Sequence, residues 1–288
     1  EAAYAEMART GADIVHPNKP VMWKNVLLQG RCTVNQIFTH NISMIADPDT
    51  VLVRDLPLEE ARTTATIVAL PGQLTFFGDK LANLAPDRMK ILQQTLPAAI
   101  VRPAALYPYF DMLPVWNLAV KHPVLGEYNV VAFFNWGDEE KLVEASAKEL
   151  GMPEGSYTCR EFWTGETYTN FNPPYAIRVP AHGVRVLVAR PTVDRPRILA
   201  TDRHIAQTNF EILDEKWDAK TKTLKGKIAL VDGFPTTVAI HVPARYSFKS
   251  ATAAGAKMSA KSDNNSVELS LLKSPDNKEG FAKFELKF

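Results

Sequence analysis

The hydrophobic pattern of this chain changes its period near Pro97, and that change limits the fold more than any other feature. Upstream, Glu59 to Leu70 (EEARTTATIVAL) puts Ala61, Ala65, Val68 and Ala69 on one face behind an acidic first turn. That pattern predicts a helix whose dipole the acids suit, ended by Pro71-Gly72. Leu74-Thr75-Phe76-Phe77 reads as a short strand of the parallel-sheet kind, and Pro86 fits the first turn of a helix reaching Gln94. This order is βα repetition. Downstream, apolar residues fall into short strands split by polar turns: Val130 to Trp136, Tyr157 to Trp163 and Val184 to Ala189. Leu213 to Leu230 predicts a hairpin around Asp218-Ala219-Lys220-Thr221, and Phe284 to Phe288 alternates as a half-buried edge strand does. Regular short strands of this kind argue for β-sandwiches, with Pro191 and Pro196 bracketing a linker.

Charge and composition exclude several functions. Thirty-three basic residues against 32 acidic ones leave a net charge of +1, too little to draw a nucleic acid, and no basic stripe with interleaved aromatics appears. No apolar run approaches the ~20 residues of a membrane span, so neither nucleic acid nor membrane is expected as a partner. Cys32 and Cys159 lie far apart without CxxC spacing, which predicts free thiols rather than a disulfide framework or a structural zinc site.

Two loops carry the chemistry. Arg9-Thr10-Gly11-Ala12-Asp13-Ile14 and Ile45-Ala46-Asp47-Pro48-Asp49-Thr50 sit one βα unit apart. Paired acids at successive strand ends are how a (β/α) barrel builds a glycosidase site. Asp13, just beyond a strand and ahead of Val15-His16-Pro17, can aim its carboxyl group across a barrel mouth; capping or turn formation is the competing role. In Asp47-Pro48-Asp49 the proline can hold one carboxylate inward and turn the other back to the loop, while an Asx-type turn is the plainer reading. No third ligand accompanies them at metal-site spacing, so no metal is expected. The six histidines are scattered singly, and no Gly-x-Ser-x-Gly elbow, phosphate loop or HExxH is present. Trp136, Phe162, Trp163 and Tyr168 could bind sugar rings, but their spacing within strands favours sandwich core.

Together these segments resemble the C-terminal half of the α-galactosidase (melibiase) families of clan D glycoside hydrolases. Arg9 to Ile14 is similar to the Arg-x-x-x-Asp-Ile loop of that family, and Asp47-Pro48-Asp49-Thr50 to its Asn-Asp-Pro-Asp-Met loop. Glu59 to Leu81 resembles the helix, last strand and turn that close its barrel. Phe134-Asn135-Trp136-Gly137-Asp138 through Gly151, with Phe162-Trp163-Thr164-Gly165, resembles its attached β-sandwich. Three departures stand out: Ala46 replaces an Asn, Thr50 a Met, and Gly78 a small hydroxyl residue.

The resemblance implies an α/β plus all-β chain: the C-terminal part of a (β/α)8 TIM barrel over 1–97, then antiparallel β-sandwich domains over 98–190 and 191–288. It implies a retaining exo-glycosidase acting on an oligosaccharide or glycoside without a cofactor. Asp13 is then the general acid/base and Arg9, Asp47, Asp49 and Thr50 contact substrate. The family's nucleophilic aspartate lies on an earlier strand, so the N-terminal remainder of the barrel, in the same or another chain, is an expected partner, and the present residues alone are expected to be inactive. A secreted or periplasmic location follows from the same resemblance. Two alternatives remain open: a transglycosylase of raffinose-synthase type, and a non-catalytic carbohydrate-binding or scaffold protein.

Overall fold

The computed structural model describes residues 5–16, 19–99 and 112–288, so Pro17 and residues 100–111, near the start of the expected 98–190 domain, lie outside the described residues. The first third alternates strand and helix. β1 (Met7–Arg9), α1 (Trp23–Gln36), β2 (Ile45–Asp47), β3 (Thr50–Val51), α2 (Leu58–Ala69), β4 (Phe76–Phe77) and α3 (Pro86–Gln94) follow in order. β1 runs parallel to β2, and β3 parallel to β4, each pair joined through a helix. Only Pro48-Asp49 separates β2 from β3. Proline has no N–H for a ladder and Asp49 sits at φ +70°, so the strand breaks there. The strand expected over Leu74 to Phe77 shrinks to Phe76–Phe77, while Leu74 N still donates to Ala46 O at 3.2 Å.

α2 departs from the one-faced helix its periodicity predicts. Ala61, Thr63, Thr64, Ala65, Thr66, Ile67 and Val68 are all fully buried, because the helix is wedged between α1 and the sheet that follows. Its threonines survive burial because each hydroxyl has an acceptor: His182 O for Thr63 (2.8 Å), Gln29 Oε1 for Thr64 (2.7 Å) and Arg62 O for Thr66 (2.7 Å). α3 spans the residues its Pro86 start predicts.

The rest is antiparallel sheet. β5 (Val115–His122), β6 (Gly126–Phe134), β7 (Lys141–Ala145), a short α4 (Ala147–Leu150), β8 (Tyr157–Glu161), β9 (Thr167–Phe171), β10 (Tyr175–Val179) and β11 (Val184–Pro191) make a first sandwich. Its large sheet has the order β5-β6-β11-β8-β9, and β10-β7 forms the facing pair. Val131, Phe133, Leu150, Tyr175, Ile177 and Leu187 fill the space between. The opposite face carries Trp116, Leu118, Val130, Ala132, Phe134 and Val186 into the core shared with α2. β6 is therefore buried on both sides. That explains why Val130 to Phe134 reads as an unbroken apolar run rather than an alternation.

A second sandwich stacks β12 (Arg197–Thr201), β15 (Thr236–His241), β18 (Ser266–Lys273) and β17 (Ala256–Asp263) on a second sheet. The latter contains β13 (Ile212–Asp218), β14 (Thr223–Ala229), β19 (Phe281–Lys287) and β16 (Ser250–Ala254). β13 and β14 form the expected hairpin. The C-terminal strand corrects the sequence reading. β19 is not an edge: β14 pairs with one side and β16 with the other, and its exposed alternate residues face away from the facing sheet. The bracketed linker is likewise tied down. Arg190, buried, donates to Leu125 O (2.6 Å) and to Ile198 O, holding Pro191–Pro196 between the two sandwiches.

Candidate active site

β1 and β2 lie in register with Arg9 opposite Asp47, so both carboxylate loops leave neighbouring strand ends at the same level. Thr10 N and Oγ1 both reach Asp47 O, at 2.8 and 3.3 Å, and stitch the loop bases together. From there three side chains meet. Arg9 Nη2 is 3.0 Å from Asp49 Oδ2, and Arg9 Nη1 is 3.2 Å from Asp13 Oδ1. Asp49 Oδ2 also accepts from Ile14 N at 2.7 Å, so it clasps the first loop by main chain and side chain alike.

The Asp-Pro-Asp loop divides its carboxylates. Asp47 Oδ1 accepts from Asp49 N at 2.8 Å, the Asx-type turn that sequence alone allows, and this supports the left-handed backbone of Asp49. Asp49 faces the other loop and is 19% exposed at its side chain; Asp13 is 79% exposed. Asp13 stands in solvent rather than in a walled hollow, and the charge set against it is the Arg9 guanidinium. Thr50 is not drawn into the cluster. A Cβ placed on Gly78 would lie 2.9 Å from Thr50 Oγ1 and 2.8 Å from Leu52 Cδ2, so Thr50 occupies the space that a larger residue 78 would need. Arg9, Asp13 and Asp49 converge; Asp47 supports them, and Thr50 packs behind.

Two supporting residues escape a reading of motifs. Gln29, buried in α1, donates to Pro48 O (3.1 Å) and Thr50 O (3.3 Å), and Asn25 donates to Ile14 O (2.7 Å). A glutamine on the inward side of an amphipathic helix was the available signal. Farther off, His182 stacks on Trp23 at 4.2 Å, with Nδ1 2.7 Å from Glu60 Oε1 and Nε2 2.8 Å from Asp138 Oδ1. This contact fastens the first sandwich to α1 and α2. Trp136, two residues beyond the end of β6, stacks on Phe134 at 4.6 Å and donates to Leu113 O, which makes it a packing residue. Among the described residues no group of three or more His, Cys, Asp or Glu side chains converges on a metal position, and no helix is long and apolar enough to cross a membrane.

Residues 120–189 match the family model described as the alpha galactosidase C-terminal beta sandwich domain. The chain resembles the C-terminal part of a clan D glycoside hydrolase. Among solved structures, a GH27 β-L-arabinopyranosidase from Geobacillus stearothermophilus superposes with a TM-score of 0.54 at 16% identity, over 67% of this chain and 47% of that one. Alpha-galactosidase I from Mortierella vinacea superposes at 0.50 and 17% identity, over 66% of this chain and 54% of that one. The chain thus spans about half the length of these structures, and at such identities the likeness is one of fold. No curated protein matches the sequence.

Proposed function

We propose that these residues are the closing part of a retaining exo-glycosidase most like an α-galactosidase, acting on the terminal α-linked sugar of an oligosaccharide or glycoside. In this reading β1 to β4 and their helices are the last units of a (β/α)8 barrel, residues 1–97. The first sandwich takes 98–190 and the second 191–288. One observation carries the proposal: two acidic loops leave parallel strand ends in register and meet on Arg9, ahead of a sandwich of the α-galactosidase type.

Asp13 would protonate the departing glycosidic oxygen and then take a proton from the incoming water, with Asp49 and Arg9 holding sugar hydroxyls and Asp47 and Thr50 shaping the loop between them. The nucleophile, which must stand ~5 Å from Asp13 for retention, would come from the remainder of the barrel in the same or another chain. Among the described residues, ten of the sixteen large exposed apolar side chains, Met7, Ile42, Ile45 and Phe76 among them, precede residue 97, which favours such a partner. A partner packed there would also enclose Asp13.

Kinetics in a polypeptide carrying the whole barrel test the roles. General acid catalysis is worth ~10²–10⁴-fold, so Asp13→Asn should cost that much on an unactivated galactoside and far less on an aryl galactoside with a good leaving group. Equal losses on both would remove Asp13 from the acid role. The exposure of Asp13 favours a second reading, a non-catalytic carbohydrate-binding protein. A complete barrel that binds oligosaccharide but turns none over would select it.

A further inference from the structure

α1 turns three side-chain amides toward the two acidic loops. Asn25, Gln29 and Gln36 recur at spacings that return each to nearly the same side of a helix. Asn25 Nδ2 donates to Ile14 O at 2.7 Å and Gln36 Nε2 to Thr10 O at 2.6 Å, so the first loop is held on both sides of Gly11-Ala12-Asp13. Gln29 serves the second loop. Its Nε2 donates to Pro48 O at 3.1 Å and to Thr50 O at 3.3 Å, the carbonyls of the residues on either side of Asp49.

The grip has a fixed sense. The loop offers carbonyl oxygens, which call for the amide nitrogen, and the buried Thr64 hydroxyl of α2 donates to Gln29 Oε1 at 2.7 Å from behind. Gln29, 4% exposed, thus has its nitrogen and its oxygen both engaged. Between the two held carbonyls, Asp49 sits at φ +70°, a backbone that a residue with a Cβ keeps only where its surroundings over-determine it. That backbone sends the Asp49 carboxylate toward the first loop, where Oδ2 meets Ile14 N at 2.7 Å and Arg9 Nη2 at 3.0 Å.

We propose that Gln29 is a positioning residue for Asp49: by tying the chain on both sides of Asp49 to α1, it keeps that carboxylate turned to the first loop, and Thr64 orients the amide that does so. The importance of this for a sugar rests on the reading under Proposed function, in which Asp49 holds substrate hydroxyls and Gln29 touches none.

Hydrogen exchange at single amides of the full chain, without substrate, tests the proposal. The Ile14 N–H reports where the Asp49 carboxylate points, because Oδ2 is its acceptor. The Ile45 N–H on Glu6 O and the Thr10 N–H on Asp47 O report the β1-β2 pair itself. Gln29→Met, which keeps the length and loses both donors, should speed exchange at Ile14 about tenfold and change Ile45 and Thr10 by less than about twofold. Thr64→Val should speed Ile14 to a smaller degree and add nothing to Gln29→Met, since both act through one amide. Exchange at Ile14 that Gln29→Met leaves at the wild-type rate overturns the proposal. Equal acceleration at all three amides overturns it too, because Gln29 would then support the strand pair as a whole. Should Gln29→Met fail to fold, Thr64→Val decides by the same comparison. None of these measurements involves catalysis, so removing Asp13 from the acid role would leave their outcome as it stands.

Discussion

Arg9 Nη2 stands 3.0 Å from Asp49 Oδ2, although the two residues belong to successive loops whose sequences share no contact pattern. The same guanidinium reaches Asp13, but the two pairs differ in their surroundings. Asp13 is 79% exposed, and exposed pairs are worth ~0.2–1 kcal/mol, whereas Asp49 is 19% exposed and also accepts the Ile14 N–H. Double-mutant cycles with Arg9→Ala should therefore give a coupling of about 1–2 kcal/mol with Asp49→Asn and under about 0.5 kcal/mol with Asp13→Ala, read from urea unfolding. Equal couplings would show that Arg9 does not anchor the second loop.

Thr50 and Gly78 form a second coupled pair. The threonine side chain lies against the glycine, so that residue 78 has no room for a Cβ while Thr50 stays where it is. Gly78→Ser should destabilise the chain by about 1–3 kcal/mol, since its Cβ would fall 2.8–3.0 Å from Leu52 and Thr50 atoms. Thr50→Ala in the same chain should return part of that loss. If Gly78→Ser unfolds at the wild-type urea concentration, the two residues are not coupled.

These pairs also show how far the sequence could be read. α3 was legible because Pro86 fixes its start, and the β13-β14 hairpin because polar turn residues interrupt an alternation. The loops at Arg9 and Asp47 were legible because successive strands joined through a helix most often pair side by side in a parallel sheet, as β1 and β2 do. The burial of α2 on all sides was not. Periodicity reports one apolar face, and the threonines that look solvent-facing have acceptors in α1 and beyond β10. The place of β19 inside its sheet was hidden for a similar reason: alternation reveals two faces, not the neighbours on either flank. His182 illustrates the general limit, because its partner Glu60 lies 122 positions away and no local pattern announces the contact. The solvent position of Asp13 depends on what lies across the loop, which spacing does not encode.

The two thiols should react unequally. Cys159 is fully buried in the first sandwich, and burial pushes its thiol far above the ordinary range. Cys32 is half-buried in α1; burial raises it as well, while nearby Arg31 acts in the opposite direction. The thiolate is the reactive form, so iodoacetamide should modify Cys32 slowly in the folded chain and Cys159 only once the sandwich opens. Mass spectrometry of digests from native and urea-treated protein would reveal the order. Labelling of Cys159 first, under native conditions, would contradict the burial of the first sandwich core.

The junction between α3 and the second sandwich should give the chain a pH-dependent stability. His204 is buried there, its Nδ1 on Leu96 O and its ring stacked on Phe210 at 4.5 Å. Burial, aided by the charge of Arg203 and opposed by the bond to Leu96, pushes its imidazole down to about 4 from the usual 6.5. Between those values the unfolded chain holds more protons than the folded one, so this residue makes stability rise as pH climbs from about 4 to 6.5. Glu211, 3.7 Å from Nε2, works the other way. Its burial, opposed by the Thr201 hydroxyl bond, raises its carboxyl group, so the folded chain keeps that proton longer and loses stability as pH rises above about 4.5. Comparing wild type with His204→Gln separates the two, because Glu211 is common to both. The wild type should gain of the order of 2–3 kcal/mol more than the variant across that interval, measured by urea unfolding at a series of pH values. Parallel curves for the two proteins would mean that His204 protonates in the folded chain as freely as in the unfolded one.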